Sequence, residues 1–334
     1  MKLVALFSTL MVAGLFLVAG CGDSGTTGGS GGGSNEKPKK VVIGFVAKSN
    51  TNPVFQAAHV GARDAAKELA AKYGVEIEVN IQTPTGENAQ KQAEAVENLS
   101  RLGAAGIAVA CSDANALTPA IDRAVGAGVA VICFDSDAPK SKRFAYYGTD
   151  DIDCGKQVMA QLAKEMGGKG TIAILAGNQS APNLANRVAG VREELKNHPD
   201  IKEIASGAVY HEETPEKAAE KVQEVQRANG NITGWAMIGG WPLFTRDALP
   251  WAPGAVKVVS VDALPQQIGY LESGHVQVLL AQDCYGWGYK SVEILMEKIV
   301  NKKDPASVKV IDPLTKVTKD NAAEWSKKWE KWVK

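Results

Sequence analysis

The run at residues 129–135, VAVICFD, constrains the fold more than any other stretch of this sequence. Its residues are almost all apolar and several are β-branched, with no polar alternation. That is the mark of a strand covered on both faces of a parallel sheet. The run stops at Asp135-Ser136-Asp137. In open α/β sheets ligands sit beyond the carboxyl ends of the strands. The stop therefore sets two carboxylates and a hydroxyl where a polar ligand would meet them. The plainer alternative is that Asp135 only caps a turn.

The rest of the body repeats the pattern. Apolar strands are expected at 41–47, 75–82, 106–111 and 129–135, separated by helical stretches at 54–72, 87–101 and 114–125. Further strands are expected at 171–176, 204–210, 232–238, 256–261 and 276–281. Helices at 151–166, 183–196 and 215–228 lie between them, with 291–300 inside another. Alternation of this kind means βαβ units, parallel sheets and right-handed crossovers. The strands are too many for one ordinary sheet. FAYYGTD at 144–150 is read as a crossing between two similar lobes. The halves share this grammar without a repeat by identity.

The start of the chain is targeting sequence. Lys2, an apolar run and Leu17-Val18-Ala19-Gly20-Cys21 resemble a bacterial lipobox, in which the cysteine is lipidated and becomes the first mature residue. Residues 21–40, rich in Gly and Ser, read as a flexible tether with a reach of about 24 Å. Without residues 1–20 one lysine is lost, so 36 basic residues (37 − 1) face 37 acidic ones. A near-neutral body argues against a nucleic-acid partner. Cys111, Cys133, Cys154 and Cys284 have no CxxC spacing, and the four histidines are scattered. No metal site and no cofactor is indicated. There is neither a GxSxG elbow nor a GxxxxGK[ST] loop, so the chain is read as a non-enzyme. At 321–334, Trp325, Trp329 and Trp332 share one face of an amphipathic helix. That face either docks on a lobe or meets a membrane or partner.

The ends of the expected strands collect hydrogen-bonding groups and a few rings: Asn52 and Phe55, Ser112 and Asp113, Asp135 and Asp137, Asn183 and Arg187, His211, Trp241, Asp262 and Gln282. Carboxylates, amides and guanidinium can hold pairs of hydroxyls, while aromatic faces take the apolar C–H face of a sugar. These groups match a polyol or a sugar.

The segments SNTNPVFQAAHVGARDAAKEL, VAVICFDSD, GNQSAPNLANRVAGVREEL and VVSVDALPQQIGYLESG, followed by VQVLLAQDCYGWGYKSVEIL, occur in this order. Together they resemble the ribose-type periplasmic sugar-binding proteins of ABC importers, from residue 41 to about 319. The resemblance implies an α/β fold of two Rossmann-like lobes joined by three crossings, here expected near Tyr147, Asp262 and Asp283. It assigns 41–147 with 263–282 to the first lobe and 148–262 with 283–320 to the second. It implies sugar contacts from Asn52, Phe55, Asp135, Arg187, Asp262 and Gln282, an ABC permease as partner, and a monomer held at the membrane by its lipid anchor. A ligand-presenting sensory receptor is the alternative. Four departures sit where ligand identity is read. Ser136 replaces an arginine, Cys111 an asparagine and His211 a phenylalanine, and Gly239-Gly240-Trp241 stands where an Asn-Asp pair is usual. Trp241 is expected to supply the ring that His211 does not, and Trp287 to serve packing.

Overall fold

The structure, a computed structural model, describes residues 39–332. The leader at 1–20, lipidation of Cys21 and residues 21–38 of the tether lie outside the described residues.

The first half runs β1 (Lys40–Val46), α1 (Pro53–Tyr73), β2 (Glu76–Ile81), α2 (Ala89–Arg101), β3 (Gly106–Val109), α3 (Ala114–Gly126), β4 (Ala130–Phe134) and β5 (Ala145–Gly148). The second half runs α4 (Asp151–Glu165), β6 (Gly170–Gly177), α5 (Pro182–Leu195), β7 (Ile201–Glu203), β8 (Val209–Tyr210), α6 (Pro215–Ala228), β9 (Gly234–Met237), β10 (Lys257–Val261), α7 (Pro265–Ser273) and β11 (Val278–Ala281). The chain then returns as α8 (Cys284–Asn301), β12 (Lys309–Ile311), β13 (Thr315–Val317) and α9 (Ala322–Trp332). Two sheets result, ordered β12-β5-β4-β3-β1-β2 and β13-β11-β10-β9-β6-β7, with β8 also on β6. Pairing is parallel except at β11–β13. The α/β class read from the alternation is what the chain adopts.

The orders match position for position, so β1 corresponds to β6, β4 to β10 and β5 to β11. The flanking helices repeat too. α1 packs on α8 and α4 on α5, each through facing glycines. A Cβ on Gly288 would sit 1.8 Å from the Ala58 carbonyl oxygen, and one on Gly61 2.1 Å from that of Tyr285. In the second half a Cβ on Gly155 would lie 2.0 Å from the Arg187 carbonyl oxygen, and one on Gly190 2.0 Å from that of Ile152. Only glycine permits backbones this close.

Several expectations are corrected. The segment at 144–150 is mostly strand β5, because Ala145–Gly148 continues the sheet beside β4 and Tyr146 is locked there, its hydroxyl donating to the Asp135 carbonyl at 2.9 Å. The crossing follows, at Thr149–Asp150. Asp262 is not a crossing: β10, α7 and β11 form one parallel unit within the second sheet. The segment 263–282 therefore belongs with the second lobe. α8 returns to pack against α1, β3 and β4, so it belongs with the first. The crossings lie at 149–150, 282–283 and 312–314, the last joining β12 of the first sheet to β13 of the second. Of the strand expected at 204–210 only Val209–Tyr210 (β8) forms; β7 precedes it at Ile201–Glu203, and Gly207, with φ +76°, lies in the turn between them.

All four described cysteines are buried as free thiols. α9 docks on the body: Trp325 and Trp329 are buried, and the Trp325 indole donates to the Ala263 carbonyl at 2.7 Å. Among the described residues no helix is long and apolar enough to cross a membrane.

Candidate functional site

The carboxyl ends of both sets of parallel strands face one small cavity of about 30 Å³. From the first half come Lys48 and Asn52 after β1, Phe55 on α1, Asp135 after β4 and Trp287 on α8. From the second come Asn183 and Arg187 on α5, Glu213 before α6, Trp241 after β9 and Asp262 after β10. Gln282 enters from a crossing.

Asp135 and Asp262 occupy corresponding positions, each just past its central strand, and both have positive φ, 54° and 67°. A non-glycine residue there carries strain of roughly 1–2 kcal/mol, of the kind that collects at functional sites. Each aspartate anchors its own hydrogen-bonded chain. In one, Lys48 Nζ donates to Asn183 Oδ1 at 3.3 Å and lies 4.0 Å from Asp135 Oδ2, while Asn183 Nδ2 donates to Asp135 Oδ1 at 3.3 Å. This chain joins the two halves across the cavity. In the other, Arg187 donates to Asp151 Oδ1 at 2.9 Å, to Gln282 Oε1 at 2.7 Å and to the Ile238 carbonyl at 3.2 Å. Gln282 Nε2 in turn donates to Asp262 Oδ1 at 2.8 Å.

Burial pushes the Asp135 carboxyl up, with Lys48 and Arg187 opposing. Burial likewise raises Asp262, against the Gln282 hydrogen bond. Asp151 is pushed up to about 6 by burial, despite Arg187 beside it. Burial alone would lower Lys48, but Glu213, Glu87 and Asp135 outweigh it and hold the ammonium charged. Cations and carboxylates are thus paired in a dry space, where each still has lone pairs or protons to offer a polar guest.

Rings close the cavity on two sides. Phe55 lies against Trp287 with centroids 5.9 Å apart. Trp241 is met edge-on by His211 at 4.9 Å. Gly239 is explained by this ring, since a Cβ there would fall 2.3 Å from Trp241 Cη2, and one on Gly177 2.6 Å from it; a Cβ on Gly240 would instead meet Gln267 Nε2 at 2.7 Å. The indole occupies the volume the glycines leave.

Eight of the residues picked from sequence line this cavity: Asn52, Phe55, Asp135, Asn183, Arg187, Trp241, Asp262 and Gln282. Asn52 also caps α1, accepting from Val54 N–H at 3.2 Å. Three lie elsewhere. Asp113 caps α3 by accepting from Asn115 and Ala116 N–H. Asp137 is paired with Arg143. Ser112 is buried, its N–H donating to Gln92 Oε1 at 3.0 Å. Their own loops and neighbours take these residues up. Lys48, Glu213 and the wall-forming role of Trp287 were missed. Lys48 had a signal, being the first charged residue after an apolar strand. Glu213 had none, since only the fold brings its loop here.

The sequence matches the family described as periplasmic binding protein domain over residues 43–303. An ABC transporter solute-binding protein from Burkholderia graminis C4D1M, in complex with D-arabinose, is 27% identical, with a TM-score of 0.76 over 86% of this chain and 98% of that one. A carbohydrate transporter solute-binding protein from Agrobacterium radiobacter, also in complex with D-arabinose, is 24% identical, with a TM-score of 0.76 over 88% and 99%. A xylitol-binding protein of Mycolicibacterium smegmatis is 41% identical over 56 residues, which is 17% of this chain and 16% of that relative. The family and these relatives are binding proteins rather than enzymes. By the match across most of its length and by its paired parallel sheets, this chain belongs to the periplasmic binding protein family.

Proposed function

We propose that this protein is the lipid-anchored substrate-binding component of an ABC importer, capturing a sugar or polyol between its two lobes and presenting it to a membrane permease. The observation that carries the reading is the cavity itself, where charged groups, amides and aromatic rings from both halves converge. Asp135, Asp262, Arg187, Asn183 and Gln282 would take the hydroxyls, with Asn52 beside them. Phe55 and Trp241 would cover the apolar faces. Capture is reversible: the lobes rotate about the three crossings, and ligand contacts made from both sides favour the closed form. The D-arabinose relatives and the xylitol-binding relative support a ligand of this class. Export past the inner membrane and anchoring through Cys21 complete the reading.

The test is a thermal-shift titration of the purified protein with pentoses, hexoses and pentitols, xylitol and D-arabinose first. A ligand at 100 times its dissociation constant stabilises by about 2.7 kcal/mol. A melting temperature unmoved by every carbohydrate would overturn the proposal.

A further inference from the structure

Glu87 stands in the loop before α2, on the first half, and its side chain reaches the second. Asn178 Nδ2 donates to Glu87 Oε2 at 3.4 Å, and the Asn178 backbone N–H donates to Glu213 Oε1 at 3.2 Å. The other Glu87 oxygen, Oε1, is sealed from solvent and meets no donor among the described residues. The Glu87 and Glu213 carboxyls line the same cleft, share Asn178 as donor and lie within hydrogen-bonding reach of one another. Ionised carboxylates only accept. Two of them held together in a buried gap form a bond only when one carries a proton.

The surroundings do not remove that need. Lys48, from the loop after β1, is the cation acting on Glu87, but Asp135 and Asn183 already engage it. Asn178 supplies one amide from the loop after β6. From the loop before α6 come Glu212, another acid, and His211, which burial holds toward its neutral form. Ser49 and Thr51 carry hydroxyls, and both donate to the Thr85 carbonyl, at 2.8 and 3.1 Å.

We propose that closing the lobes takes up one proton, held between Glu87 and Glu213 as an O–H···O bond across the cleft, so that ligand capture is linked to pH. This rests on the closure described above. Burial, and then Glu213, raise Glu87 from its ordinary 4.5 to about 7. In an open form the carboxyls part and Glu87 returns to its hydrated value. The closed form thus binds the proton more tightly. Closure is most favoured below about 4.5, weakens by up to roughly tenfold per pH unit between about 4.5 and 7, and is level above that.

Two measurements on the full chain test this. With xylitol or D-arabinose at saturation, so that the folded protein is closed, melting curves of wild type and Glu87→Gln are compared from pH 4.5 to 8. The glutamine amide donates permanently to Glu213, so the variant keeps the bond at every pH. Wild type should lose melting temperature relative to the variant up to about pH 7, with a constant gap beyond; the other buried carboxyls cancel in the difference. Parallel curves throughout would overturn the proposal. With xylitol or D-arabinose as probe, calorimetry at pH 6 in two buffers of different ionisation enthalpy should read about 0.9 more proton taken up per ligand in wild type than in Glu87→Gln or in Glu213→Gln, the other buried carboxyls cancelling in the difference. Equal uptake in wild type and variants would also overturn it. If neither probe binds, the sugar-capture reading falls and the linked closure with it; if a probe binds with equal uptake in wild type and variants, the carboxyl pair falls and the capture reading stands.

Discussion

Arg187 is 2% exposed and ties α5 to α4, to the end of β9 and to the crossing at Gln282. Replacing it by alanine leaves Asp151 buried without its cation, and Gln282 Oε1 with only the Thr149 hydroxyl at 3.1 Å. Breaking a buried ion pair in this way costs about 3–5 kcal/mol. With an unfolding entropy of about 2.1 cal/mol/K per residue over roughly 290 residues, that is about 5–8 °C in Tm. The loss must depend on pH. The folded-state pKa of Asp151, about 6, lies above its ordinary value of 3.8, so Asp151 favours the fold most at low pH and loses that contribution as pH rises through 6. Arg187 limits the loss, and removing it enlarges the loss. Calorimetric melting of Arg187→Ala without ligand should show the full drop at pH 8 and about half or less at pH 5, where Asp151 is mostly neutral. Adding Asp151→Asn should recover part of the drop at pH 8. A drop below 1 °C at pH 8, or the same drop at both pH values, would refute the reasoning.

Asp135→Asn should keep the fold, because asparagine tolerates positive φ. It should weaken binding of the cognate carbohydrate at least about tenfold, since hydrogen bonds to a charged group contribute about 1.5–3 kcal/mol; wild-type affinity in a calorimetric titration would remove Asp135 from the site. Asp135→Ala should in addition lose stability in urea denaturation relative to Asp135→Asn, because alanine lacks the short polar side chain that eases a left-handed backbone. Gly288→Ala, whose new methyl meets the Ala58 carbonyl at 1.8 Å, should cost about 3 kcal/mol or more in urea denaturation. Gly126→Ala, with open space around it, should be neutral or slightly stabilising by the same measurement.

Legibility in the sequence followed locality. Strand and helix cores were read within a few residues, because apolar runs and end signals are written in neighbouring positions: α6 was expected at 215–228 and found as Pro215–Ala228. The class of the fold followed from their alternation. Cavity-lining residues were legible where a polar or aromatic side chain directly follows a buried strand, as with Asp135, Asp262 and Trp241. The same rule overreached at Ser112, Asp113 and Asp137, which follow strands too but are taken up by a buried loop, a helix cap and Arg143.

What tertiary structure alone decided was membership and juxtaposition. Nothing local in 278–281 says which sheet it joins, because a buried parallel strand reads the same in either; pairing with β10 assigns it to the second half. The correspondence of the halves is likewise invisible as sequence identity and plain as strand order. Glu87, Asn178 and Glu213 are far apart along the chain and look like ordinary loop residues. Their meeting depends on the strand ends of two separate sheets facing one another, and the proposed proton sharing needs the burial that removes the water each carboxylate would otherwise keep.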